Sequence, residues 1–156
     1  MKLGIQIQWD EKTLRIPLER IRLVESLGYD SVWSAEAYGS DAITPLAYIA
    51  AFTERIRLGT GIVQIDARTP AASAVAFATL DGIDPGRAIC GLGLSGPQIV
   101  EGWYGRPWGS PYHKLRDTVQ ILRKIWKREG PGTHDGKQIR LPYVGPDSSG
   151  MGKPLK

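Results

Sequence analysis

The chain has 156 residues, of which 42% are hydrophobic and 23% charged, the make-up of an ordinary globular domain and not of a disordered or fibrous one. A single cysteine, Cys90, excludes a disulfide framework, and two histidines, His113 and His134, supply no clustered soft ligands, so no metal site is expected. The net charge of +4 is unevenly placed: residues 1–102 hold nine Lys/Arg against twelve Asp/Glu, whereas residues 103–156 hold eleven against four.

The opening MKLGIQIQWDEK has an apolar run too short for a signal peptide and is cut by charge within ten residues. No run of about 18 apolar residues follows anywhere, so no membrane span and a cytoplasmic protein are expected. Short β-type runs are predicted at residues 3–8, 31–34, 56–63 and 88–94. Between them the spacing turns helical, as in Leu14, Leu18, Ile21 and Val24, and later in Leu115, Val119, Leu122 and Trp126. Pro45 and Pro70 suit first helical turns, with Thr44 and Thr69 placed to cap them, and Gly28 suits the left-handed residue after the first helix. Nearly continuous apolar strands, each followed by a helix, predict an α/β protein with a parallel sheet and right-handed crossovers.

Beyond the fourth strand, residues 95–112 carry four glycines, three prolines and the aromatics Trp103, Tyr104, Trp108 and Tyr112, which predicts a long ordered loop. Lys114, Arg116, Arg123, Lys124, Lys127 and Arg128 then share one helical segment. Such a basic excess suits an anionic partner, but a solvated helix face accounts for it more simply, and no nucleic-acid partner is expected. Residues 129–142 predict a small hairpin turning at Asp135-Gly136, and residues 145–156 have the composition of a linker.

Gly91-x-Gly93-x-x-Gly96 formally matches a dinucleotide-binding fingerprint. It lacks the context, because Pro97 and further glycines follow where a helix should open, and the acid at the right distance, Asp117, lies within a helix. Ligands of parallel α/β proteins collect at the carboxyl ends of strands. The residues there are Gln8 and Trp9; Ala35, Glu36 and Tyr38; Gly61 to Gln64; and Gly93, Ser95, Gly96 and Gln98. This set has one carboxylate and neither a nucleophile nor an acid–base pair, which suits a site where a cofactor carries the chemistry. Glycine in the run Leu58-Gly59-Thr60-Gly61-Ile62-Val63-Gln64 marks a bulge or a close approach by a flat ligand, or simply a weakly packed strand.

Four stretches together carry a resemblance: SVWSAEAYG from residue 31, IRLGTGIVQIDARTP from 56, ATLDGIDPGRAICGLGLSGPQIVEGWYG from 78 and THDGKQIRLPY from 133. The chain resembles the luciferase-like monooxygenase superfamily and, within it, the oxidoreductases that use the deazaflavin coenzyme F420. The resemblance implies a (β/α)8 TIM barrel, of which the chain holds about the first four βα units. It also implies a non-prolyl cis peptide at Gly61–Ile62 on the third strand, backing the central ring of the cofactor against Ile62 and Val63. It assigns cofactor binding to Thr60, Gly61, Ile62, Val63 and Gln64 with Gly93, Ser95, Gly96 and Gln98, and the catalytic acidic position to Glu36. Ala37 stands where sugar-phosphate dehydrogenases of the family carry a histidine, so the substrate is open. The implied reaction is hydride transfer between F420 and a small organic molecule, with FMN-dependent monooxygenation as the alternative.

A full barrel takes roughly 250 residues. The expectation is therefore a truncated or half barrel, with residues 1–128 forming the first four βα units and 129–156 a hairpin and lead-in to a missing second half. It would be completed by that half or by self-association. A complete flavodoxin-like binding module is the alternative outside enzymes, and it requires a reversal in strand order. The first-strand loop Gln8-Trp9-Asp10-Glu11-Lys12 offers no Gly/Ser/Thr cradle for its phosphate.

Overall fold

The computed structural model describes residues 1–7 and 15–154. Gln8, Trp9 and the rest of the first-strand loop, and Leu14 of the first helical stripe, lie outside the described residues. Two compact units are present: Met1–Gln64 with Ala76–Gly93, and Ile65–Val75 with Leu94–Lys156.

The first unit is built on β1 (Gly4–Ile7), α1 (Leu18–Ser26), β2 (Ser31–Ser34), α2 (Thr44–Ala50), β3 (Arg57–Thr60), β4 (Val63–Gln64), the greater part of α3 (Pro70–Ile83), β5 (Ala88–Ile89) and β6 (Leu92–Gly93). Four strands form a parallel sheet in the order β1-β2-β3-β5, each beside its neighbour in sequence. That sequential winding, with no reversal, overturns the flavodoxin-like alternative, whose ligand crevice requires a switch in strand order. Ile7, Val32 and Leu58 project from the sheet onto Ile21 and Val24 of α1, Leu46, Ile49 and Ala50 of α2, and Leu80 of α3. Each such side chain, taken fully from water, contributes about 1.5–3 kcal/mol.

Two predicted strands are interrupted. The run 56–63 stops as β3 at Thr60 and resumes as β4 after a cis peptide at Gly61–Ile62, and the run 88–94 divides into β5 and β6. Beyond the break, β4 and β6 pair with each other in parallel, Val63 opposite Leu92 and Gln64 opposite Gly93. The helix punctuation is partly as expected. Gly28 adopts φ +81° after α1, and Thr69 accepts the Ala72 N–H through its hydroxyl at 3.2 Å. Thr44, in contrast, caps nothing: Asp41 Oδ1 accepts the N–H groups of Ile43 and Thr44, both at 2.8 Å, because an aspartate two or three residues upstream reaches the open end more directly.

The second unit holds the first turn of α3, α4 (Pro97–Val100), α5 (Pro111–Lys127) and the hairpin of β7 (His134–Asp135) with β8 (Arg140–Leu141). Residues 95–112 are therefore not one loop, since α4 forms a turn of helix within them and α5 already starts at Pro111. The buried face of α5 is also rotated from the expected stripe. It carries Asp117, Thr118, Ile121 and Leu122, while Trp126 is 39% exposed and donates its indole N–H to Ala74 O at 2.9 Å. Arg116, Arg123, Lys124 and Lys127 lie on the solvent side of α5, as a solvated face requires, and Arg128 caps the helix at φ 52°. Lys114 departs from them: it is largely buried and pairs with Asp66 at 3.0 Å. The hairpin is antiparallel and turns at the expected place, with Gly136 N–H donating to Ile139 O at 3.0 Å.

Candidate functional site

The carboxyl ends of β2, β3 and β5 converge on the strand interruption at Gly61–Ile62. Ser34 O accepts the Gly61 N–H at 2.7 Å, which ties the start of the bulge to the end of β2. On the other side one hydroxyl makes two bonds: Thr60 Oγ1 accepts the Gly91 N–H at 2.9 Å and donates to Gly91 O at 2.8 Å. The same carbonyl accepts Val63 N–H at 2.9 Å, so Gly91 closes the bulge from both ends.

Glycine is required at Gly91, where the neighbour is main chain, and is favoured at Gly93, where it is a side chain. A Cβ on Gly91 would overlap the Thr60 carbonyl oxygen, and one on Gly93 would overlap the Ile62 side chain. The Gly-x-Gly of the apparent fingerprint is therefore a packing device that lets the fourth strand lie close against the bulge. Gly59 is likewise occupied by protein: a Cβ there would stand 2.5 Å from the Trp33 ring, whose indole N–H donates to Ser31 Oγ at 2.9 Å.

Glu36 follows β2 and is 9% exposed. Its N–H donates to Ile62 O at 3.0 Å, its carboxylate Oε2 accepts the Gln64 N–H at 2.9 Å, and its carbonyl accepts Gln64 Nε2–H at 3.1 Å. Gln64 is 3% exposed, and among the described residues its carboxamide Oε1 has no donor; the buried Ser34 Oγ is in the same position. A buried polar atom left unpaired costs about 1–3 kcal/mol, so two of them at one end of the sheet mark a place where a polar group from outside the chain fits.

The structure thus brings Glu36, Thr60, Gly61, Ile62, Val63, Gln64 and Gly93 together. Within that group Val63 differs from its expected part. It is 1% exposed, and its side chain packs with Ala42 and Phe77 in a second core cluster, so it offers only main chain to a ligand, while the neighbouring Ile62 side chain lies over Gly93. Ser95, Gly96 and Gln98 belong to the second unit: Ser95 and Gln98 are exposed, Ser95 at φ 61°, and Gly96 is the extended residue that opens α4. Ser34 is no candidate from sequence, and Gly91 figures there only as the first glycine of the rejected fingerprint. Only the strand register, which sets Ser34 opposite Thr60, discloses them.

Chemically the group is spare. Cys90 lies beside it, but burial pushes the thiol up to about 12, so the nucleophilic thiolate is scarce at neutral pH. His134 faces Asp117 under the hairpin of the second unit, at 3.3 Å. Among the described residues no group of His, Cys, Asp and Glu has the makings of a metal site. What remains is a bulge ledge backed by Ile62, its glycines packed against protein, with Gln64 Oε1 and Ser34 Oγ unpartnered among the described residues, where a cofactor that brings a polar edge fits.

Residues 1–152 match the model of the luciferase-like monooxygenase family. The chain belongs to that family. A protein of Mycobacterium tuberculosis named as a coenzyme F420-dependent oxidoreductase is 47% identical over the whole of this chain and 45% of its own length. Among solved structures, a monooxygenase from Streptomyces bottropensis superposes with a TM-score of 0.76 at 28% identity, over 90% of this chain and 47% of that one. The coenzyme F420-dependent tetrahydromethanopterin reductase of Methanopyrus kandleri superposes at 0.74 with 25% identity, over 89% and 44%. The chain therefore spans about half the length of the luciferase-like relatives it matches, and its sheet carries the first four βα units of their TIM barrel.

Proposed function

We propose that the chain serves an F420-dependent oxidoreductase that exchanges hydride with a small organic substrate. The observation that carries this reading is the bulge at Gly61–Ile62, fixed by Thr60, Gly91 and Glu36, with Ile62 set over Gly93 and the Gln64 acceptor beside it. The 47% identity to a relative named for F420 supports the choice of deazaflavin. When bound, the cofactor supplies two-electron transfer at a ring carbon; the protein orients the ring and excludes water. In that division Ile62 backs the ring, the Ile62–Gln64 main chain edges it, Thr60 and Gly93 hold the ledge in shape, and Glu36 stands at its rim. Ser95, Gly96 and Gln98 are proposed as further cofactor-binding residues.

FMN-dependent monooxygenation is a second reading, favoured by the likeness to the Streptomyces monooxygenase. Residues 129–156 are assigned to a hairpin and lead-in, and the partner that completes the barrel is a second half or another copy of the chain. No helix among the described residues is long and apolar enough to cross a membrane, and one lone thiol suits the reducing cytoplasm. The test is titration of the chain with F420 and with FMN, followed by ring fluorescence. Saturable F420 binding at least tenfold tighter than FMN is expected; the reverse order selects the monooxygenase reading, and binding of neither removes both.

A further inference from the structure

We propose that Glu36 is a positioning residue and not the acid or base of the reaction, and that it holds Gln64 so that the Gln64 carboxamide oxygen reads the imide N–H of the seated ring. This rests on the ring seat proposed above. Three bonds join Glu36 to the bulge: from its N–H to Ile62 O, from the Gln64 N–H to its carboxylate, and from Gln64 Nε2–H to its carbonyl. The last of these decides the orientation of the amide. With Nε2 committed to a carbonyl, Oε1 is the end left over, and it is buried without a protein donor. An acceptor so placed selects a ligand that brings a donor.

The tricyclic rings of F420 and FMN differ at the centre and at the benzenoid edge, but both carry a pyrimidinedione edge with one imide N–H. The recognised chemistry is that edge, whichever cofactor supplies it. A carboxylate whose oxygen is already taken by a main-chain N–H at 2.9 Å is better suited to hold the ledge than to shuttle protons.

The unaltered chain is titrated with F420, with FMN and with N3-methyl-FMN, whose imide proton is replaced. We expect the parent flavin to bind at least tenfold more tightly than its methylated form, and this preference to disappear in Gln64→Leu; Glu36→Ala keeps the carbonyl that holds Nε2 and loses the carboxylate on the Gln64 N–H, so it should weaken the preference. Glu36→Gln, whose carboxamide oxygen can accept the same N–H, should restore it to within threefold. Hydrogen exchange at the Gln64 amide reads the clamp without any ligand: slow in the unaltered chain and in Glu36→Gln, at least tenfold faster in Glu36→Ala. Equal binding of the methylated and parent rings overturns the acceptor role. Turnover lost in Glu36→Gln while ring binding and amide protection persist overturns the positioning role and makes Glu36 an acid or base. If no ring binds, the ring seat falls and the acceptor role with it, while the exchange pattern still decides the clamp.

Discussion

At the scale of single residues, the bulge depends on atoms that have no substitute. Thr60→Val keeps the shape of the side chain and removes the hydroxyl that serves Gly91, leaving the Gly91 N–H buried without its partner. The expected loss is about 1–3 kcal/mol, read as a lower urea midpoint with an unchanged slope. Gly91→Ala should cost more, about 3 kcal/mol, because its Cβ meets a main-chain oxygen that no change of rotamer can move aside; a smaller loss than for Thr60→Val would contradict this account. Cys90 makes a pH prediction. Its folded pKa, about 12, lies above the ordinary 9.0, so the buried neutral thiol stabilises the fold fully below pH 9, and that contribution is lost as pH rises from 9 toward 12. Urea midpoints should fall over that alkaline range in the parent and less in Cys90→Ala. Much at this scale was legible in the sequence. Gly59 and Gly61 announced a place of close approach, but only the register shows that Trp33 fills the space beside Gly59, and a pattern of small residues cannot say whether a ring of the protein or of a ligand lies against it.

Among the elements, the β7–β8 hairpin is held from below by one side chain of α5. Asp117 Oδ2 accepts the N–H groups of Gln138 at 2.7 Å and Ile139 at 3.0 Å. Burial acts to raise its pKa, but those two bonds and the nearby His134 outweigh it and hold the carboxyl below the usual aspartate value. The stability it contributes is complete above the ordinary aspartate range and is lost as pH falls through the lowered folded value. Asp117→Ala is therefore expected to loosen the hairpin at neutral pH, with tryptic cleavage after Lys137 and Arg140 accelerated at least tenfold while α5 keeps its helical circular dichroism. Unchanged cleavage would show that the turn holds itself. The same residue explains why α5 was misread. Periodicity counts apolar positions, and it placed the buried stripe on Leu115, Val119, Leu122 and Trp126. A buried aspartate that anchors a neighbouring element turns the helix toward Asp117, Thr118 and Ile121, and that demand is invisible until the hairpin is in place.

For the molecule as a whole, the winding β1-β2-β3-β5 was readable because each strand run was followed by a helical stripe, and repetition of one unit leaves few other topologies. The interruptions at residues 61–62 and 90–91 were not readable from propensity, since Ile62, Val63 and Cys90 are ordinary strand residues; glycine in the run 58–64 offered a bulge among other readings, and the resemblance placed it at Gly61–Ile62. The same winding bears on association. Among the described residues β1 pairs only with β2 and β5 only with β3, so neither end of the sheet has a further strand beside it; on β5 the outward Ala88 N–H already donates to Asp81 Oδ1 at 3.2 Å, which leaves β1 the more open edge. Edges of this kind seek another strand, and here neither carries a proline to block it. In a barrel both edges are met by further strands, and a second copy of the chain offers edges of the same kind. Sedimentation of the chain from micromolar concentrations upward should accordingly show species heavier than the 17.1 kDa monomer, in rising proportion with concentration. A single 17.1 kDa boundary across the whole range would exclude pairing of copies through either edge.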